Sequence, residues 1–496
     1  MDPMIVLTYI AIILLIGVLC TFVSKALRLP YHLILLLLGI FLGSLYMNGV
    51  PLFQVDASFI IGISTLLVVL LVFDSSSRIK IGENEMEGMP AINLISIFVL
   101  FSLIFSGLFA VKLFYPAVTL SAVLYSLVFA VLVVETDLGS VLHLFKDFAK
   151  EKAKHLLLFF ETEANLNTAF VILFPFVILE ILKNFDFENQ SLYWVLTYNL
   201  PGFLYEILMA VGVGIIIGLL MLKILRKWYD HHFSPIALLA AALGAYIMAS
   251  LMGGIGIVAV AVVGFFFGNI YVEGREQLAE FGRMLVSALE ILVFVILGIA
   301  VRIPLDFSYF WKSILLFAVV LIVRIAAVFI TQRSKEFTSR EKLFIGLNMP
   351  KGIAIAAVVL LLSTYNVPGL NVVLQLSVLM MIYSIVLSFV LDFYAEPILR
   401  EPIKASSGNG CVHSWMNVLE MNINVPKRKP LRKRPAKKKR VSKKKNVKAK
   451  KVVPKKKKAK ASRKAPKLKR IVKRSSKKKA ISEGKVKRSS RRKKKR

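Results

Sequence analysis

The most regular feature of the chain is a series of apolar runs separated by short polar loops. Each run is long enough for an α-helix to cross the hydrocarbon core of a bilayer, which takes about 17 to 25 residues. The runs predict thirteen spans, at 4–23, 31–46, 58–74, 91–111, 119–143, 156–182, 202–222, 234–250, 254–270, 284–301, 308–331, 343–364 and 371–394. The pattern therefore predicts an all-α polytopic membrane protein.

Lysine and arginine are distributed unevenly between the loops. Alternate loops, beginning with the one after the first span, carry seventeen of these residues, whereas the other loops carry only Lys112, Lys183 and Arg302. Because basic loops remain in the cytoplasm, the N-terminus is expected outside a cell membrane and the C-terminus inside. The N-terminus lacks the basic segment of a cleavable signal peptide, so the first run is interpreted as an uncleaved span.

Net charge divides the chain into unequal parts. The total is +36, yet residues 427–496 contain forty lysines and arginines against one acid, so the rest of the chain is close to neutral. We expect a transmembrane domain at 1–400, a polar linker at 401–426 and a basic tail at 427–496. The only two cysteines, Cys20 and Cys411, lie far apart, which argues against a disulfide framework or a cysteine metal site.

The basic tail has too few apolar residues to form a core and is predicted to be disordered. Its expected partner is the anionic inner leaflet, where each lysine or arginine contributes about 1 kcal/mol. Salt-sensitive binding to DNA or ribosomal RNA is the alternative. The tail contains no aromatic residue for base stacking, so sequence-specific recognition of nucleic acid is not expected.

Two spans contain features that interrupt a helix, which indicates an inverted repeat. A shift of seven spans pairs the fifth span, with VVETDLGS at 133–140, and the twelfth, with GLNMPKGIA at 346–354. An odd shift reverses the topology, and matched broken spans mark the ion site in many transporters. Pro350 and Gly352 favour a break in the twelfth span, whereas only Gly139 favours one in the fifth.

Ionisable residues inside the spans point to transport, because each needs a partner or an aqueous cavity. They are Asp74, Glu135, Asp137, Glu161, Glu163, Glu290, Arg324 and Lys351. A carboxylate that binds either a proton or a cation couples the two fluxes. Asp137 is the strongest candidate because Thr136 offers a second oxygen beside it. Purely structural roles remain open for several of them. Asp74 could end a helix at the membrane interface, Glu290 could pair with a neighbouring span, and Arg324 and Lys351 could be structural counter-charges.

The sixth span carries several polar residues in FFETEANLNTAF, residues 159–170. Residues four apart share a helix face, so Glu163 and Asn167 form one stripe. Glu161, Asn165 and Thr168 form another on nearly the opposite side. The pattern alone leaves open which stripe faces an ion site.

Four stretches resemble the monovalent cation:proton antiporters, particularly the NhaP-type sodium/proton antiporters of archaea and bacteria. They are LLVFDSSSRIKI at 70–81, VVETDLGSVL at 133–142, FETEANLNTA at 160–169 and TSREKLFIGLNMPKGIAIAA at 338–357. The likeness covers roughly residues 5–395. It implies a thirteen-span fold with two discontinuous helices and a homodimer.

Carried over by position, the resemblance implies an ion site that includes Asp137 and Thr136, with Glu163 and Asn167 from the sixth span. Both Asp137 and Glu163 are implied as ligands of the cation. It also implies a role for the third-span acid Asp74, and it makes Arg324 and Lys351 the basic residues of the eleventh and twelfth spans.

Three departures stand out. Thr168 replaces the aspartate that follows asparagine in the family, Leu138 replaces the proline that follows the aspartate of the fifth span, and Glu135 is an additional acid there. We hypothesise that Glu135 or Glu163 takes over the proton-linked role.

The expected function is exchange of Na⁺, with Li⁺ or K⁺ as alternatives, for H⁺ by alternating access, without enzymatic chemistry or a bound cofactor. A transport-impaired membrane anchor with a tail that binds lipid, DNA or ribosomes is the second reading. A carrier of organic anions on the same plan is a third, and it would need fewer buried acids.

Overall fold

The computed structural model describes residues 3–399, except for 28, 48–49, 52, 54, 80–84, 138, 140–150, 185–191, 229, 231–232, 271–274, 305, 334–336, 366 and 368. The predicted linker and basic tail, at 401–496, lie outside the described residues.

The described residues are almost entirely helical. The helices are α1 Pro3–Leu27, α2 Tyr31–Gly43, α3 Ala57–Arg78, α4 Glu85–Phe101, α5 Gly107–Phe114, α6 Leu120–Leu132, α7 Glu151–Asn184, α8 Leu192–Lys227, α9 Phe233–Leu251, α10 Gly256–Asn269, α11 Arg275–Ala300, α12 Phe307–Thr331, α13 Ser339–Leu347, α14 Ile353–Leu362 and α15 Leu370–Leu399. A π-helical turn, Ser102–Ser106, joins α4 to α5. Two two-residue strands, β1 Tyr46–Met47 and β2 Val50–Pro51, pair antiparallel after α2.

These helices confirm the predicted fold class. Eight helical stretches are long and apolar enough to cross a membrane, and five shorter apolar helices accompany them. The π-helical turn lies within the fourth span, and α13 and α14 together form the twelfth. Some helices are longer than predicted, such as α7 and α8, because the residues on both sides of the predicted span are also helical.

Large apolar side chains are exposed on the outward faces of several helices. Leu7, Leu15 and Phe22 on α1 are exposed, as are Leu208 and Ile216 on α8. Continuous apolar surface of this kind is unfavourable in water and suits contact with lipid. The protein is therefore a multi-pass membrane protein.

Two close helix crossings join the two halves of the predicted repeat. On α2, a Cβ at Gly39 would lie 2.3 Å from the carbonyl oxygen of Val295 on α11. On α10, a Cβ at Gly268 would lie 2.3 Å from the carbonyl oxygen of Ser77 on α3. A second glycine lies four residues away in each helix, in G39-IFL-G43 and G264-FFF-G268, which is the spacing that lets two membrane helices approach closely.

The two crossings are equivalent under the predicted repeat. A shift of seven spans takes the second span to the ninth and the third to the tenth. It therefore converts the packing of α2 against α11 into that of α10 against α3, and the structure contains both. This equivalence supports the inverted repeat.

The fifth and twelfth spans are both interrupted. Helix α6 ends at Leu132 and the chain is non-helical over 133–137, while 348–352 are non-helical between α13 and α14. The two segments meet where the backbone N–H of Asp137 donates to the carbonyl oxygen of Pro350 at 2.8 Å. We call 133–137 together with 348–352 the broken-helix crossing.

The break in the fifth span differs from the sequence prediction. Gly139 was expected to cause it, but α6 ends at Leu132, seven residues earlier. Pro350 and Gly352, in contrast, lie within the break of the twelfth span as predicted. Contacts from other helices stabilise the early end of α6, and no local signal reveals them.

Candidate functional site

Side chains from two other spans bind the buried carbonyl groups at the end of α6, which have no partner within the helix. The Lys351 Nζ donates to the carbonyl oxygens of Val133 and Glu135, each at 2.5 Å. The amide of Asn167 donates to the carbonyl oxygen of Val134 at 3.4 Å. The last carbonyls of a helix lack partners within it, so an ammonium group placed there satisfies them and favours a break at this point.

The start of α14 is bound in the complementary way. The backbone N–H of Gly352 donates to Oε2 of Glu135 at 2.8 Å, so a carboxylate lies at the N-terminal end of that helix. A Cβ on Gly352 would lie 2.6 Å from Cβ and Cγ of Asp137. The twelfth span can approach Asp137 this closely only because residue 352 is glycine.

A buried ion pair lies beside the broken-helix crossing. Nη1 of Arg324 on α12 contacts Oε1 of Glu163 on α7 at 2.7 Å, and both side chains are completely buried. The same carboxylate oxygen accepts from Oγ1 of Thr136 at 3.3 Å and from Nδ2 of Asn167 at 3.5 Å. Arg324 also lies over the ring of Phe98, 5.2 Å from its centroid.

Two buried oxygens near this pair have no hydrogen-bond donor among the described residues. They are Oε2 of Glu163 and Oδ1 of Asn167, and both residues are 0% exposed. Buried polar atoms are rarely left unsatisfied, so each indicates a site for a molecule or ion. Because the residues are four apart, both oxygens come from one face of α7.

The structure distinguishes the two polar stripes of the sixth span. Glu163 and Asn167 face the broken-helix crossing, whereas Glu161, Asn165 and Thr168 are only half-buried. Oγ1 of Thr168 donates to the carbonyl oxygen of Ala164 in its own helix, at 2.8 Å. Thr168, which stands where the resemblance would place an aspartate, is thus hydrogen-bonded to the backbone of its own helix.

Asp137 lies at the broken-helix crossing and is half-buried, unlike Glu135 and Thr136, which are buried. Its Oδ1 accepts from the backbone N–H of Gly139 at 3.2 Å, as in an Asx turn. Asp137 is therefore the partly accessible carboxylate of this group.

Most of the residues predicted for the site come together. The residues at or beside the broken-helix crossing are Glu135, Thr136, Asp137, Glu163, Asn167, Arg324, Pro350, Lys351 and Gly352. Asp74 instead pairs with Arg78 one turn away on α3, at 3.0 Å, with about a third of each side chain exposed. Its contact is that of a helix-end ion pair.

The chemistry of the group suits a hard cation. In the described part of the chain, no three histidine, cysteine, aspartate or glutamate side chains gather as a metal cluster. The groups present at the crossing are carboxylate, hydroxyl and amide oxygens beside interrupted backbone. Oxygen ligands of this kind coordinate Na⁺ in unwound transporter helices.

A second buried pair, in which His32 was not predicted from the sequence, joins α2 to α11. Nε2 of His32 on α2 hydrogen-bonds Oε1 of Glu290 on α11, and the residues are 4% and 8% exposed. Glu290 was expected to pair with a neighbouring span, and His32 is that partner. The available signal was an imidazole at the second residue of an apolar span, where a polar side chain needs a partner. That partner is 258 residues away in the sequence, so the span itself does not identify it.

A model of the family described as sodium/hydrogen exchanger, transmembrane, matches residues 10–395. Among known proteins, the K⁺/H⁺ antiporter NhaP2 of Shewanella sp. strain MR-4 is 25% identical over 340 residues, 68% of this chain and 56% of that protein. The Na⁺/H⁺ antiporter NhaG of Bacillus atrophaeus is 25% identical over 395 residues, which cover 74% of this chain and 70% of that protein. This chain thus spans little more than half the length of the Shewanella relative.

Among solved structures, the sodium proton antiporter MjNhaP1 of Methanocaldococcus jannaschii at pH 8 has the same fold. The TM-score is 0.64 at 19% identity, over 81% of this chain and all of that one. With a family match over most of the described helices, the chain belongs to the sodium/hydrogen exchanger family.

Proposed function

We propose that this protein exchanges a monovalent cation for protons across the cell membrane, with Na⁺ as the first candidate and Li⁺ and K⁺ as alternatives. One observation carries the proposal: buried oxygens of Glu163 and Asn167 without donors lie beside a crossing of two broken helices that also contains Asp137. Relatives named as K⁺/H⁺ and Na⁺/H⁺ antiporters support the reaction class and leave the cation to experiment.

Competition at Asp137 is the proposed source of coupling. Its carboxylate is the partly accessible one of the group, so it can take a proton or a cation from water. An incoming cation loses hydration, and the oxygens of Thr136, Glu163 and Asn167 are close enough in the fold to replace part of it. Since one carboxylate holds a cation or a proton but not both, alternating access converts this competition into exchange.

The basic residues have supporting roles in this proposal. Arg324 neutralises Glu163 in a dry environment, where an unpaired carboxylate would be very unfavourable. Lys351 binds the end of α6 and so fixes the loop that carries Asp137. The proton-linked role of the missing sixth-span aspartate at Thr168 passes to Glu135 or Glu163.

The proposal includes an orientation and partners. The N-terminus lies outside and the C-terminus in the cytoplasm, as the basic loops favour. The protein forms a homodimer, and its basic tail contacts the anionic inner leaflet, with nucleic acid as the competing ligand. The cation is transported substrate, and the mechanism needs no cofactor.

The reaction is tested in proteoliposomes loaded with a pH-sensitive dye. Addition of Na⁺, Li⁺ or K⁺ outside vesicles with an acidic interior should alkalinise the interior, with saturation in the transported cation. If none of the three cations produces proton flux, the membrane-anchor hypothesis remains.

Asp137→Asn should abolish cation-dependent proton flux, because asparagine cannot bind and release the proton. Asp74→Asn is the matched control, since that acid lies in an ion pair at a helix end with about a third of each side chain exposed. Flux that survives in Asp137→Asn and disappears in Glu163→Gln would show that the principal carboxylate is on the sixth span instead.

A further inference from the structure

A titratable pair that the proposed exchange does not use lies between α2 and α11. The imidazole of His32 and the carboxylate of Glu290 share a hydrogen bond, and the hydroxyl of Tyr31 interacts with the same carboxylate. Two aromatic rings pack against the imidazole, with centroids 3.8 Å away in Tyr31 and 4.8 Å away in Phe294. Apolar packing explains the rings but not an acid and a base beside them.

The pair is held firmly in the fold. It lies on the same two helices as the close contact between Gly39 and Gly298, where a Cβ on Gly298 would lie 2.6 Å from the backbone nitrogen of Ile40. Neither helix can shift there without breaking that contact, so the imidazole and the carboxylate keep their relative positions.

Helix packing joins the pair to the candidate ion site. Helix α11, which carries Glu290, packs against α14, and Gly352 at the start of α14 lies against Asp137. The charges of Asp137 and Glu135 therefore act on the imidazole of His32. The helices packed against α2 and α11 are α1, α3, α9 and α14. Among the side chains that the structure describes on these helices and on α11, the other titratable ones are Cys20, Asp74, Arg78, Tyr246, Glu280 and Arg283, and none is on α14.

We propose that His32 and Glu290 are positioning residues that together hold one proton, and that release of this proton strengthens cation binding at Asp137. The inference rests on the proposed exchange and adds a second group that sets its pH dependence.

The sign of the effect follows from charge. With one proton the pair is neutral, whether the proton is on the imidazole or on the carboxylate. Loss of that proton adds one negative charge near Asp137, in a region with little water to screen it. A negative charge there favours the cation-bound state, and by linkage a bound cation favours loss of the proton.

Tyr31→Phe is the most conservative test, because it removes the hydroxyl that interacts with Glu290 and keeps the ring against His32. Without this donor the carboxylate is less stabilised, so the pair keeps its proton to higher pH. The pH profile of the half-saturating Na⁺ concentration should shift about one unit to the alkaline side. Tyr309→Phe is the control, since Tyr309 donates to Gln375 elsewhere and its loss should leave the profile in place.

The double variant H32Q/E290Q removes the proton and retains two hydrogen-bonding side chains. A single carboxylate that binds a proton or a cation changes the half-saturating concentration by at most about tenfold per pH unit, and a linked second proton makes the dependence steeper. The dependence in the wild-type protein should therefore be steeper than in the double variant. A Tyr31→Phe profile that coincides with wild type, or equal slopes in wild type and double variant, would overturn the proposal.

Failure of the exchange itself is distinguishable from failure of the pair. If wild-type vesicles move no cation, the proposed function is wrong, and the pair is tested by the ¹⁵N NMR titration of His32, assigned by its loss in H32Q. In Asp137→Asn the pair should release its proton at lower pH, because a nearby negative charge has been removed. An unchanged midpoint would show that the pair and Asp137 are not coupled.

Discussion

Two ion pairs of similar length in this protein show how environment changes the role of a charged side chain. Arg324 and Glu163 are 2.7 Å apart and fully buried, whereas Arg78 and Asp74 are 3.0 Å apart and about a third exposed. In the buried pair, removal of one partner leaves a charge without water or counter-ion. In the exposed pair, water replaces the lost partner at little cost.

Arg324→Met should therefore lower the stability of the detergent-solubilised protein by about 3 to 5 kcal/mol, because Glu163 loses its counter-charge. Arg78→Met is the matched control and should change stability by less than about 1 kcal/mol. Thermal unfolding monitored by tryptophan fluorescence measures both. Addition of Glu163→Gln to Arg324→Met should recover part of the loss, and a double variant less stable than the single one would contradict this account.

At the same scale, sequence patterns predicted the composition of the site better than its contacts. Apolar surroundings identified Glu163, Arg324 and Lys351 as residues that need partners, and the structure provides them. Helix periodicity separated the Glu163 stripe from the Glu161 stripe but could not choose between them from residues alone. The pairing of His32 with Glu290 depends on how two distant spans pack, which periodicity within one span does not contain.

Among the helices, small residues at two positions determine how the halves of the protein are joined. Gly39 faces the backbone of α11, and Gly268 faces the backbone of α3. Any side chain at these positions would push two helices apart. Because lipid provides little hydrophobic driving force between helices, close van der Waals contact contributes much of their association.

Gly39→Ala should destabilise the protein by about 1 to 3 kcal/mol, since the new methyl group would lie 2.3 Å from a carbonyl oxygen. Gly62→Ala on α3 is the control, because a Cβ there meets nothing within 4 Å. Alanine is the better helix former, so the control should be neutral or slightly stabilising. A thermal shift assay in detergent compares them, and equal losses in both variants would refute the close-contact argument.

The two helix breaks differ in how far the sequence could predict them. In the twelfth span, Pro350 and Gly352 are local causes, and the break lies where they predict it. In the fifth span, α6 ends in a stretch of valines with no local breaker, because Lys351 and Asn167 bind the carbonyls of Val133 and Val134 just beyond its end. Interactions between spans decide such a break, so Gly139 was a misleading signal.

For the molecule as a whole, the sequence separates a membrane domain from a basic tail of very different chemistry. The family match ends at residue 395, before the tail begins. The candidate site lies wholly within the matched part. Transport and the properties of the tail should therefore be separable.

A chain that ends at Pro426 should exchange cations at the rate of the full chain in vesicles of neutral lipid. In the full chain, a fluorophore on Cys411 should show higher anisotropy in nanodiscs with anionic lipid than in neutral ones, because the tail binds the surface. Cys20 is buried and should not react.

High salt should remove the anisotropy difference, since screening weakens attraction between the tail and the lipid. Loss of exchange on truncation would show that the tail takes part in transport. A salt-independent signal would exclude electrostatic attachment to lipid.

The contacts of Lys351 have a consequence for the protein when no solute is bound. Its ammonium group touches two carbonyl oxygens of an unwound segment, which is the type of position that a dissolved alkali ion occupies in other carriers. In this chain an amine of the protein itself therefore occupies that position. The broken-helix crossing should keep its fold without a bound alkali ion, so an empty site need not be an unfolded one.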